Sequence, residues 1–223
     1  MTVSNSSRST SPILRVSDVD LVAVSKKLAR NDKTLGAFIK KTGPCTLGGP
    51  LHESHFESIV FAVIAQQLSA KATDTITFRL LELVGSPLEP KKVLKKTDAQ
   101  LRSVGLSGAK ARTIREFAHA VATGELDLDA LDQMTDDAVH SELTKLWGIG
   151  RWTAEMAMIF RLGRLDVWPV GDLAVRKGWS RIYQLPQVPT DVEFENVADH
   201  LKPYRSVVAW YCWRATDETT QIW

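Results

Sequence analysis

The sequence predicts an all-α protein. Three observations carry that expectation. Apolar residues recur at helical spacing through most of the chain. No sustained period-two run and no Asn-Gly or Asp-Gly hairpin signal occurs. Helix caps and glycine-bearing breaks punctuate the apolar stretches often enough for roughly ten short helices joined by brief loops. At 223 residues, the chain is long enough for one large domain or two small units sharing a core.

The elements follow in chain order. Residues 1–17 read as a flexible polar tail, and the opening run from Met1 to Ser11 lacks the apolar centre of a secretory signal. Asp18 to Arg30 is a short amphipathic helix. Gly43-Pro44 and Gly48-Gly49-Pro50 form the clearest break. Phe56, Ile59, Val60, Val63 and Ile64 share one helical face, and a further helix runs through Ala72 to Leu83. Ile114, Phe117, Ala118 and Val121 mark another, with Lys110, Arg112 and Arg115 on its more exposed side. Thr190 and Glu193 make a capping box, which puts Phe194, Val197 and Leu201 on one helix. Pro203 ends that helix or opens the next, which passes through Val207 and Trp210 to Trp213. Residues 219–223 read as a tail.

Composition excludes several classes. The longest apolar run, Ile59 to Ala65, is far too short to cross a bilayer. The expectation is a soluble intracellular protein, in the cytoplasm or nucleoid, or in the nucleus of a eukaryote. Two cysteines, Cys45 and Cys212, cannot form a disulfide scaffold or supply four thiolates to an iron–sulfur cluster. His52 and His55 lack partners at zinc spacing and read as part of a solvated loop. A net charge of +2 is too weak to indicate a nucleic-acid partner by itself.

Residues 135–176 carry the chemistry. Thr135 can cap a helix whose first turn holds Asp136 and Asp137. That helix runs through Leu143 to Leu146. Trp147-Gly148-Ile149-Gly150 then makes a tight turn into a helix beginning Arg151-Trp152-Thr153-Ala154. Glycine permits positive φ and close backbone approach, and Ile149 plugs the gap between the helices. The unpaired N–H groups of the second helix can then hold an anion, as a helix-hairpin-helix does with a DNA phosphate. Gly105-Leu106-Ser107-Gly108 is a faint echo of the same turn. Beyond the second helix, Pro169 and Gly171 shape a loop and Asp172 opens another helix. A carboxylate at a helix N-terminus is kept ionised by the dipole, which suits it to stabilising a cation or steering a water.

The run Leu146-Trp-Gly-Ile-Gly-Arg-Trp-Thr-Ala154, with Asp172 twenty residues after Trp152, resembles the signature of the helix-hairpin-helix base-excision DNA glycosylases. Gly-Arg-Trp-Thr-Ala is similar to the DNA-3-methyladenine glycosylase II (AlkA-type) branch. Ala65-Gln66-Gln67-Leu68-Ser69, Gly105-Leu106-Ser107 with Lys110-Ala111, and Lys202-Pro203-Tyr204-Arg205-Ser206 extend the likeness over residues 18–215. The resemblance implies one glycosylase domain over 18–218, built of two packed helical subdomains with a substrate cleft between them. In it the N- and C-terminal helices pack together around a central bundle.

What the resemblance implies about activity is a monofunctional DNA glycosylase of base excision repair. It flips an N-methylated purine such as 3-methyladenine out of double-stranded DNA and hydrolyses the glycosidic bond. Asp172 is the catalytic carboxylate, and Asp166 is structural. Trp152, Met156 and Trp213 form the substrate pocket, whose aromatic faces attract a cationic base. Gln67 is the wedge that fills the vacated space, and Gly148, Gly150 and Thr153 join it in binding DNA. Lyase-competent relatives place a lysine where this chain has Trp152, so no lyase activity is expected. Thr144, Leu146 and Ile149 match main-chain carbonyls that hold a monovalent cation; no other cofactor is implied. The protein is expected to act as a monomer and away from membranes. Of the seven tryptophans, Trp147, Trp168, Trp179 and Trp210 are assigned to core packing and Trp223 to the tail. Two other readings stand beside this one: a glycosylase of the same fold for a different damaged base, and a non-enzymatic DNA-binding module.

Overall fold

A computed structural model describes residues 13–48 and 54–216. The expected break at Gly49-Pro50, His52, Trp223, the 219–223 tail and most of the 1–17 tail lie outside the described residues. Within them run twelve α-helices and three short 3-10 segments, and no strand. The helices are α1 (Leu21–Asn31), α2 (Lys33–Thr42), α3 (His55–Ala65), α4 (Ala70–Val84), α5 (Pro90–Leu94) and α6 (Asp98–Ser103). They continue with α7 (Gly108–Thr123), α8 (Asp136–Thr144), α9 (Arg151–Phe160), α10 (Leu173–Tyr183), α11 (Asp191–Phe194) and α12 (Arg205–Ala215). Most begin at a Ser, Thr or Asp whose side chain accepts a first-turn N–H, as Ser54, Ser69, Ser107 and Thr135 do.

Helix α3 is the axis of the molecule. Every residue from His55 to Ala65 is buried, so the apolar face expected there is only part of a helix covered on all sides. It packs against α4, α7 and α9. On one side α1 and α2 from the beginning of the chain join α10 and α12 from its end. The Tyr211 hydroxyl on α12 lies within hydrogen-bond reach of both Gly43 O (3.0 Å) and Ser25 Oγ (2.9 Å), and Tyr183 on α10 donates to Asp32 at 2.7 Å. The α10–α12 contact depends on Gly178, where an added Cβ would fall 1.9 Å from the Cys212 carbonyl oxygen. On the other side α5 and α6 pack on α7, while α8 packs on α9.

The structure corrects several expectations. The expected tail ends earlier than residue 17: Val16 is buried, its N–H donates to Gly163 O at 2.8 Å, and Leu14 O accepts from Leu165 at 3.1 Å. The capping box at Thr190 is present, but its helix lasts only to Phe194 and a separate 3-10 turn covers Asp199–Leu201. His55 is not in a solvated loop; it is buried at the start of α3, 3.3 Å from Asp132. Lys110 is half-buried rather than on an open face. Its ammonium donates to the carbonyls of Ile64 and Gln66, both at 2.7 Å, which closes the C-terminus of α3. Trp168, Trp179 and Trp210 are core residues as expected, whereas Trp147 is half-exposed beneath the Arg112 guanidinium. Cys45 and Cys212 are free and buried. Among the described residues no helix is long and apolar enough to cross a membrane.

Candidate functional site

Between the two groups of helices lies a cleft of about 850 Å³. Its walls are the α3–α4 turn, the beginnings of α9 and α10, and the end of α12. Of the residues expected at the site, Gln67, Gly150, Trp152, Thr153, Asp172 and Trp213 all line it.

Asp172 is the N-cap of α10. Its Oδ1 accepts from Val175 N–H at 2.9 Å and its Oδ2 accepts from the Trp152 indole N–H at 2.8 Å. The residue is only 7% exposed. Both carboxylate oxygens are therefore fixed before any ligand arrives, one by the helix it opens and one by the helix opposite. Trp152 thus does more than offer a ring face; its N–H orients the acid. Trp213 lines the cleft and packs on Phe160 with ring centroids 5.3 Å apart.

The hairpin has the expected form with one change. Gly148 adopts φ +79°, and an added Cβ would lie 1.9 Å from Thr113 Oγ1, so this turn tolerates only glycine against α7. Gly150 is extended at φ −95° and ψ −179°, a conformation open to any residue, and a Cβ there meets nothing within 4 Å. Its value is open space. Helix α9 begins at Gly150 without a side-chain cap, so the N–H groups of Arg151, Trp152 and Thr153 have no acceptor within the helix. Ile149 is buried as the plug.

Gln67 stands at the third position of a turn closed by Leu68 N–H to Ala65 O at 3.1 Å. Gln66 (φ −46°, ψ 121°) and Gln67 (φ +56°) give that turn its type II shape, in which the third position ordinarily calls for glycine. A glutamine held there stores backbone strain and projects from the α3–α4 wall. The sequence does not mark Gln66 as a site residue. Its amide donates to Gly148 O at 3.0 Å and to Thr153 Oγ1 at 2.9 Å, tying the strained turn to the hairpin. No local sequence signal distinguishes it, because its partners lie more than eighty residues away.

Other expected site residues are placed differently. Met156 is 2% exposed and is not among the residues lining the cleft; it is buried in the core on the same helix as Trp152. Thr153 is 1% exposed and its hydroxyl accepts from Gln66, so its side chain is a structural tie. Gly148 does not line the cleft. Asp166 is structural as expected, paired with Arg205 through contacts of 2.9 and 3.0 Å.

Comparison with known proteins decides the family. The model of the HhH-GPD superfamily of base excision DNA repair proteins matches residues 60–203. The chain belongs to this superfamily. Alkylbase DNA glycosidase-like protein mag2 of Schizosaccharomyces pombe is 30% identical over 88% of this chain and 94% of its own length. A solved DNA-3-methyladenine glycosidase from Bacillus halodurans is 32% identical, with a TM-score of 0.74 covering 93% of both chains. The S. pombe 3-methyladenine DNA glycosylase Mag1, solved in complex with abasic DNA, superposes with a TM-score of 0.80 at 27% identity, covering 86% of this chain and 95% of that one. The matched span contains the α3–α4 turn, the hairpin and Asp172, which is most of the cleft lining; Trp213 and Thr216 lie beyond it.

Proposed function

We infer that the protein is a DNA glycosylase of base excision repair that removes alkylated purines, 3-methyladenine among them, from double-stranded DNA by hydrolysis. The single observation that carries this is the clamp across the cleft, in which the Trp152 indole holds the Asp172 carboxylate at 2.8 Å. An N-methylated purine is already a cation, so its bond to the sugar breaks with little help from an acid. The site then needs a flat pocket and a fixed anion. Trp152 and Trp213 give aromatic surface, worth about 0.5–2 kcal/mol per cation–π face. Asp172 stabilises the sugar as it becomes oxocarbenium-like, or orients the attacking water, in the manner of an inverting glycoside hydrolase. The names of the similar proteins agree with the substrate class.

In this reading the open amides of α9 receive a backbone phosphate and Gln67 occupies the space left by the flipped nucleotide. A monovalent cation would sit on the main-chain carbonyls of Thr144, Leu146 and Ile149. The Leu146 oxygen already accepts from Ile149 N–H at 3.1 Å and keeps a second lone pair for it. Such an ion would reinforce the positive field at the hairpin. The protein works as a monomer in the compartment that holds the DNA. A purely DNA-binding module gains nothing from a carboxylate fixed beside its phosphate site, which favours the enzyme.

We further propose that the enzyme is monofunctional. Trp152 stands where a lyase would need an amine, and an indole N–H is not a nucleophile. Lys71 and Lys177 do line the cleft, so product analysis is the deciding experiment. Duplex carrying alkylated, oxidised and deaminated bases is incubated with the protein, and the released bases are separated by chromatography. Release of alkylpurines, with strands intact until hot alkali and no adduct trapped by borohydride, is expected. Release of only oxidised or deaminated bases would refute the substrate class, and efficient borohydride trapping would refute monofunctionality.

A further inference from the structure

The turn that carries Gln67 is held in the less favourable of two forms. Type I and type II turns share the same closing bond, here Leu68 N–H to Ala65 O at 3.1 Å, and differ in which way the central peptide points. In type I a third-position residue sits at about φ −90°, which any residue adopts. In type II it takes a positive φ, as Gln67 does at +56°. Neither glycine nor asparagine stands there to favour the second form, so the turn is set by something outside it.

Lys110 on α7 is that outside influence. Its ammonium donates at 2.7 Å to Gln66 O, the carbonyl of the central peptide, and at 2.7 Å to Ile64 O. A type I turn would swing the Gln66 oxygen away from the ammonium. A charge-assisted bond is comparable in strength with the strain of one residue in the left-handed region. The Gln66 side chain anchors the same residue to the hairpin, through Gly148 O at 3.0 Å and Thr153 Oγ1 at 2.9 Å. The consequence falls on Gln67. The Gln66–Gln67 peptide is trans, so its N–H points opposite to its C=O. The carbonyl faces Lys110, and the Gln67 N–H therefore points away from it. No acceptor among the described residues takes that N–H, and Gln67 is exposed on the cleft lining.

We propose that Lys110 is a positioning residue for the wedge: by holding the Gln66 carbonyl toward α7, it presents the Gln67 N–H, a donor, to the DNA duplex. The inference rests on the excision reading above, in which Gln67 fills the gap left by the flipped nucleotide. The surroundings of such a gap are rich in acceptors, namely phosphate and sugar oxygens and the N3 and O2 base edges. With the peptide reversed, the Gln66 oxygen would stand there instead, and acceptor would meet acceptor.

The test compares binding to an undamaged duplex and to one holding a tetrahydrofuran abasic-site analogue, which keeps the gap without turnover. Wild type should prefer the analogue duplex at least about tenfold. Lys110→Met should weaken analogue binding about tenfold and undamaged binding by less than about twofold, with the salt dependence of wild type. Unchanged analogue binding, or an equal loss on both duplexes, would overturn the inference and leave the excision reading standing. So would a salt slope lowered by about one, the mark of a direct phosphate contact. Wild type without a preference would overturn the inference, and if it also releases no alkylpurine the excision reading falls with it. A second measurement uses the unaltered chain. Hydrogen exchange of the Gln67 amide, followed by NMR, should be unprotected in the free protein and at least about tenfold slower on the analogue duplex. Protection in the free protein, or none gained on the DNA, would overturn the inference.

Discussion

Helices α9 and α10 open on the same cleft and begin in opposite ways. Helix α9 starts at Gly150 with no side-chain cap, so its first-turn amides have no acceptor within the helix, and the space beside Gly150 is open. Helix α10 starts at Asp172, whose carboxylate already holds the Val175 amide. Each N-terminus carries the same partial positive charge. One has no side-chain cap and is the end proposed to take a phosphate, and the other is filled by the protein's own anion. A nucleic acid undergoing base loss presents both signs, a phosphate and a developing cation. In the proposed function the two helix ends would receive them separately, and Trp152, carried by the first helix, holds the anion of the second.

Exchanging the chemistry of the two ends tests the comparison most severely. Asp172→Asn keeps a capping side chain but no charge, so base release should fall at least about a hundredfold while DNA affinity does not weaken. Retention of a tenth of the single-turnover rate would remove Asp172 from the role. Gly150→Asp should do the reverse. It weakens binding to every duplex about tenfold by placing an anion where the phosphate belongs, yet the melting temperature should not fall, because Asp is a good cap and its Cβ meets open space. Unchanged binding would mean that α9 is not the anchor.

The next effect is on stability. The folded protein holds the Glu155 proton more tightly than the unfolded chain, with a value of about 7 against 4.5. Stability from this group is therefore full below about pH 4.5 and is lost as pH rises through 7. Denaturant titrations should show Glu155→Gln gaining on wild type by about 3 kcal/mol between acid and mildly alkaline pH. A pH-independent difference would contradict the burial of an ionisable acid there.

Trp152 can be divided into its two functions. Trp152→Phe retains a ring face but loses the N–H to Asp172, and should slow release of charged and neutral bases alike by about thirtyfold, or about 2 kcal/mol. Trp152→Ala should add a further loss for charged bases only. Equal rates for wild type and Trp152→Phe would show that the indole does not orient the acid. The smallest effect concerns the strained turn. Gln67→Gly should stabilise the fold by about 1 kcal/mol, read by thermal melting, while slowing release from duplex. A loss of stability would mean that Gln67 packs rather than projects.

The sequence by itself determined most of the helices, the hairpin and six of the cleft residues. Those features are local: caps such as Thr135 and Ser107, the apolar spacing of α3, and glycine at Gly148 act over one or two turns, so they are legible in neighbouring residues. It also placed Asp172 at a helix start, beside Trp152 and Trp213. Tertiary structure decided what those residues do to one another. The Trp152–Asp172 bond spans twenty positions, and Gln66 reaches the hairpin across more than eighty; no periodicity encodes either. Burial decided the rest. Met156 has the helical spacing of a pocket residue, but the packing of α9 buries it in the core. Thr153 lost its hydroxyl to Gln66, and Lys110 left the surface to cap α3. Side-chain pairing and depth depend on which elements meet, and that is set by the packing of α3 and α9 between the two groups of helices rather than by any stretch of chain read alone.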